Sequence, residues 1–115
     1  MRIRVWLIYD LGFDGDYTRF YEWLDSKDAK ECVMGGATFM STFHVAVDGD
    51  NERVRDQAFH ELEQMIPVNM EENPSTRIYA VMQVKGETYG RFLFGNRRIA
   101  PWYGSSHHET DKEDG

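Results

Sequence analysis

Three features of this sequence predict an α+β domain, an antiparallel sheet with two helices on one face. The first is a short apolar run, Val5-Trp6-Leu7-Ile8-Tyr9, too short for a typical helix and rich in strand-forming residues. The second is a pair of stripes at helical spacing, one before residue 26 and one between residues 50 and 66. The third is Thr76 to Val84, where Ile78, Ala80, Met82 and Val84 alternate with Arg77, Tyr79, Val81 and Gln83. At 115 residues the chain has room for one hydrophobic core and not for two.

Taken in order, Ile3 to Asp10 reads as a central strand buried on both faces. Leu11-Gly12-Phe13-Asp14-Gly15 then turns the chain, and Asp14 or Asp16 caps a helix that runs to about Ser26. Phe13, Tyr17, Phe20, Tyr21 and Leu24 are expected to face the sheet, with Trp23 off that stripe. Ala29 to Met34 reads as a short strand, and Gly35-Gly36 as a hairpin turn or a bulge. In the next strand, Ala37 to Val47, plain alternation places Phe39, Phe43, Val45 and Val47 on one face, with Thr38, Met40, Thr42 and His44 on the other.

Asp50 is the expected cap of the second helix. Val54, Ala58, Phe59, Leu62, Met65 and Ile66 form its stripe, and Pro67 ends it. Asn73-Pro74 marks a loop, strand four follows, and Lys85-Gly86-Glu87 turns the chain again. Tyr89 to Phe94 and Arg97 to Trp102, joined by Gly95-Asn96, are expected to form a C-terminal hairpin or arm, about residues 88–104. Residues 105–115 hold no apolar side chain and read as a disordered acidic tail on a domain spanning 1–104. The order strand, helix, strand, strand, helix, strand is the ferredoxin-like βαββαβ pattern. Its second sheet face lacks helix cover, and Tyr79, Val81 and Met40 make that face partly apolar, so a homodimer or cover by the arm is expected.

The formal net charge is −7, which argues against non-specific binding to phosphate backbones by the molecule as a whole. The charge is unevenly spread: Asp10 to Glu31 holds seven acids against three bases, and Asp48 to Glu72 eight against two. From Arg77 to Gly104 five bases face the single acid Glu87. Cys32 is the only cysteine and reads as a buried small apolar residue, which excludes an intrachain disulfide and fits a cytoplasmic protein. The apolar run at the N-terminus is far too short for a membrane span.

Ile8-Tyr9-Asp10 closing the first strand, a short turn, an amphipathic helix from near Asp16, then a strand pair, a helix and a fourth strand resemble a known superfamily. It comprises the small CRISPR-associated endoribonuclease-like proteins, the virulence-associated protein D toxins and their ferredoxin-like antitoxin relatives. The resemblance implies a ferredoxin-like fold over about the first 100 residues and a metal-binding carboxylate at Asp10.

Two candidate sites follow. Asp10, Asp14 and Asp16 are candidate Mg²⁺ ligands for a nuclease with Asp10 as its catalytic carboxylate, set against a reading in which they cap the helix and bind turn amides. Arg91, Phe92, Phe94, Arg97, Arg98 and Trp102 interleave cations with aromatics and are the candidate binding residues. No cofactor is expected outside the nuclease reading. The sequence points first to a non-catalytic homodimeric module binding a protein partner, and second to a nuclease or nucleic-acid-binding protein.

Overall fold

Strand β1 (Arg2–Asp10) is the middle of a five-stranded antiparallel sheet ordered β2-β3-β1-β4-β5. The other elements are α1 (Tyr17–Ser26), β2 (Lys30–Val33), β3 (Ala37–His44), α2 (Asn51–Met65), β4 (Arg77–Val84) and β5 (Glu87–Phe94). The computed structural model describes residues 1–12, 16–33 and 36–96; Phe13, Gly35, the Arg97–Trp102 half of the expected arm and the tail lie outside the described residues.

The sheet has two unlike faces. Ile3, Val5, Leu7 and Tyr9 of β1 and Ile78, Ala80, Met82 and Val84 of β4 turn to the core, where Phe20 and Leu24 of α1 and Val54, Ala58, Phe59 and Leu62 of α2 cover them. Val5, Leu7, Phe20 and Leu62 are fully buried. Truncating Leu7, Phe20 or Leu62 to Ala costs about 2–5 kcal/mol. β1 is therefore not buried on both faces as its apolar run suggested. Ile8 is 48% exposed, because among the described residues both helices lie on one side of the sheet.

A bulge corrects the expected alternation in β3. Ile3 pairs with Phe43 and Val5 with Met40, so two steps along β1 match three along β3. The extra residue lets Thr38, Met40 and Phe43 all face the core. It also sends Phe39 to the opposite face from Phe43, although unbroken alternation puts them together. Met40, expected on the open face, is 1% exposed in the core.

In α1, Trp23 packs against the core with its ring stacked on Phe20, while Tyr21 is 43% exposed, the reverse of the expected stripe. Cys32 is exposed rather than buried, since all four residues of the short edge strand β2 are. Lys85 and Gly86, with φ of 48° and 88°, form a two-residue turn, so β5 pairs with β4 from Val84↔Glu87 onward. The first half of the expected arm is thus a fifth strand of the sheet.

Caps fix both helices. The Asp16 carboxylate accepts from the Arg19 amide at 3.2 Å, and Asp50 from the Arg53 amide at 2.9 Å. Asp50→Ala is expected to lower stability by about 1 kcal/mol and the melting midpoint by a few degrees, measured by thermal denaturation.

Burial against Phe20 and the nearby Tyr21, Glu31 and Tyr17 raises the Tyr9 phenol to about 12. Because the folded value lies above the ordinary tyrosine value, the neutral phenol's contribution to stability is intact below about pH 10 and is lost as pH rises towards 12. Denaturation midpoints measured across that window should fall for the wild type and fall less for Tyr9→Phe.

Candidate binding face

Residues paired across an antiparallel ladder share a face, so the registers define the layout of the side opposite the two helices, among the described residues. One cross-sheet row is Lys30–Phe39–Trp6–Val81–Gly90, running from β2 to β5. The next is Ala37–Ile8–Tyr79–Phe92. Strand spacing of about 4.8 Å makes such a row roughly 15–20 Å wide. Trp6 and Phe39 are stacked with ring centroids 4.8 Å apart and planes 28° from parallel. Tyr79 meets Phe92 edge-to-face at 4.9 Å. All four rings are half-buried, leaving part of each open.

Gly90 makes room for this arrangement. A Cβ there would stand 2.7 Å from the Tyr79 hydroxyl and 3.0 Å from its ring, so the Tyr79 side chain lies across the bare backbone of the edge strand.

Cations flank the rings at both strand ends. Arg4 sits beside Gln83 and donates to its side-chain oxygen at 3.3 Å, with Arg2 and His44 one row beyond. Arg77 pairs with Asp10 at the other end. Its Nε is buried and has no hydrogen-bond partner among the described residues. Lys30, at the β2 edge, holds Asp28 at 3.1 Å in an exposed pair. This face therefore carries Arg2, Arg4, Lys30 and Arg77 on its strands, with Asp28 against Lys30 and Asp10 opposite Arg77. On the helical side Arg55 pairs with Asp56 at 2.9 Å and Arg91 with Glu63 at 2.8 Å.

The residues singled out from sequence are dispersed. The Asp10 carboxylate is exposed and accepts from the Gly12 amide at 2.9 Å, closing the turn after β1. Asp16 caps α1, and Asp14 lies outside the described residues. Among the described residues no three His, Cys, Asp or Glu side chains gather to hold a metal. Arg91 turns to the helical side, with its guanidinium 4.6 Å from the centroid of the Phe59 ring. Phe92 is on the open face, and Phe94 packs against the core. Arg97, Arg98 and Trp102 lie outside the described residues.

Sequence reasoning passed over Trp6, Phe39, Arg2, Arg4 and Arg77. A usable signal was present in β1, where Arg2, Arg4 and Trp6 alternate with Ile3, Val5 and Leu7. Phe39 gave none, since its side depends on the bulge.

No family model, curated protein or solved structure matches the chain. No helix among the described residues is long and apolar enough to cross a membrane.

Gly90→Ala is expected to swing the Tyr79 ring off β5 at a stability cost below about 1 kcal/mol, because the displaced group is the solvent-facing end of a side chain. Nuclear Overhauser contacts between the Tyr79 and Phe92 rings should weaken in that variant.

Proposed function

We propose that this chain is a ferredoxin-like, non-catalytic nucleic-acid-binding module that works through the open face of its sheet. The order β2-β3-β1-β4, all antiparallel, with α1 joining β1 to β2 and α2 joining β3 to β4, supports the ferredoxin-like reading; β5 is an addition at the β4 edge. The observation that carries the functional reading is the separation of charge. A chain of net charge −7 keeps Arg2, Arg4, Lys30 and Arg77 on one sheet face beside four half-open aromatic rings. Exposed acids such as Glu22, Asp25, Glu52 and Asp56 belong to the helices.

Distance decides between the attractive face and the repulsive whole. A helix layer is about 10 Å thick, and the screening length at physiological salt is about 8 Å. A strand lying on the sheet is thus more than one screening length from acids on the outer side of the helices, while the arginines are in contact with it. Asp10 and Asp16 are occupied as turn and cap acceptors, which favours binding over cleavage.

A second copy on the same face is the competing reading, favoured by the exposure of Ile8 (48%) and Val33 (61%). Two such faces brought together set cations against cations, which disfavours it unless a partner of opposite charge intervenes.

Fluorescence anisotropy of a labelled oligonucleotide, followed as salt is raised, tests the proposal. Four engaged cations predict that log K falls against log salt with a slope of about −2 to −3, and Arg4→Ala should make the slope shallower by about 0.7. Absence of binding at low salt, or a dimer by light scattering that reverts to a monomer on Ile8→Lys, would replace this reading.

A further inference from the structure

We propose, building on the reading of the open face given above, that its ligand is an unpaired strand. One base stacks on the Trp6–Phe39 pair, and the sugar–phosphate backbone follows the Arg2–Arg4 side of the sheet. The chemistry of the face separates unpaired strands from duplexes. A duplex offers phosphates to a basic surface but keeps the faces of its bases inside the stack, so aromatic rings gain nothing from it. An unpaired strand offers both. The face has both receptors side by side: Trp6 lies on β1 between Phe39 on β3 and Val81 on β4, and Arg4 is two residues along β1 on the same side.

The rings are set up for this. Trp6 and Phe39 are already near-parallel at 4.8 Å, so a third planar group can extend the stack without either ring leaving its position. Tyr79 stands edge-on to Phe92 at 4.9 Å and lies over Gly90, one row away. A second base therefore meets a ring whose position depends on the missing side chain at residue 90. Val81 and Ile8 fill the floor between the two aromatic pairs with apolar surface and without hydrogen-bonding groups. Such a floor holds a base by its face and does not read its edge, so the strand is bound with little sequence preference. Arg77 lies at the far end of the same face, on β4 opposite Asp10.

A second copy of this chain fits the same surface less well, because it supplies no phosphates for Arg2, Arg4 and Arg77 and brings the same cations against them.

The test compares one fluorescein-labelled RNA of about ten nucleotides, free and annealed to its complement, in anisotropy titrations with the full chain. The single strand should bind at least tenfold more tightly than the duplex. Trp6→Leu and Phe39→Leu should each weaken single-strand binding by roughly tenfold or more, and Trp6→Phe should retain most of it. Circular dichroism and the thermal midpoint of each variant establish that the fold is intact, and Trp6→Phe keeps the test decisive if Trp6→Leu fails to fold. Equal affinity for the two forms, or leucine variants that fold and bind as the wild type does, would overturn the stacking site while leaving the basic face as a binding surface. Binding of neither form at low salt would remove both.

Discussion

The position of β1 at the centre of the sheet is the constraint on which the rest of this structure depends. It is paired on both sides, in register with β3 through Arg2, Ile3 and Val5 to Ile8 and with β4 from Arg4 to Asp10, alternate residues bonding to each neighbour. Those ladders fix the direction of each side chain, and a slip of one residue in either would exchange the two faces. Arg2, Arg4 and Trp6 would then point into the helices, while Val5 and Leu7 would point to water. Burial of Val5 and Leu7, with the packing of Phe20 and Leu62 over the same face, holds the register in place. Placement of Trp6 and the arginines on the open side follows from the same register, so core stability and the geometry of the binding face have one cause.

The bulge in β3 is the second determinant. It costs some regularity in a ladder that is otherwise continuous, and its effect is to place Phe39 beside Trp6 while Met40 and Phe43 stay in the core. Bulges are common where a strand must aim one side chain away from the pattern of its neighbours. Gly90 acts similarly on β5, since the absence of a side chain there gives Tyr79 a surface to lie on.

Much of the architecture was legible in the residues. α1, α2 and β4 were readable because each has a strong single period, and β1 because its apolar run is too short for a helix, though its two faces were not told apart. Of the caps, Asp50 was legible outright and Asp16 as one of two candidates with Asp14. The Lys85-Gly86 turn announced itself, yet the chain after it was read as an arm, because Glu87 to Phe94 carries no simple alternation and its pairing with β4 contains a register shift. The candidate site was less legible. Clustering along the sequence drew attention to Asp10, Asp14 and Asp16 and to the arginines after residue 90, whereas the basic and aromatic side chains that share a face come from all five strands. Ladder register brings them together, and in β3 that register depends on one unpaired residue that alternation could not foresee.

The central claim is that the aromatic and basic face of the sheet is the surface this protein uses. Chemical-shift mapping of the isotope-labelled chain on addition of an unlabelled single-stranded oligonucleotide tests it most directly. The account predicts that the Trp6 indole, the Phe39 and Tyr79 rings and the amides of β1, β3 and β4 shift together, with α1 and α2 unmoved. Shifts confined to the helices, or none at all at low salt, would contradict it.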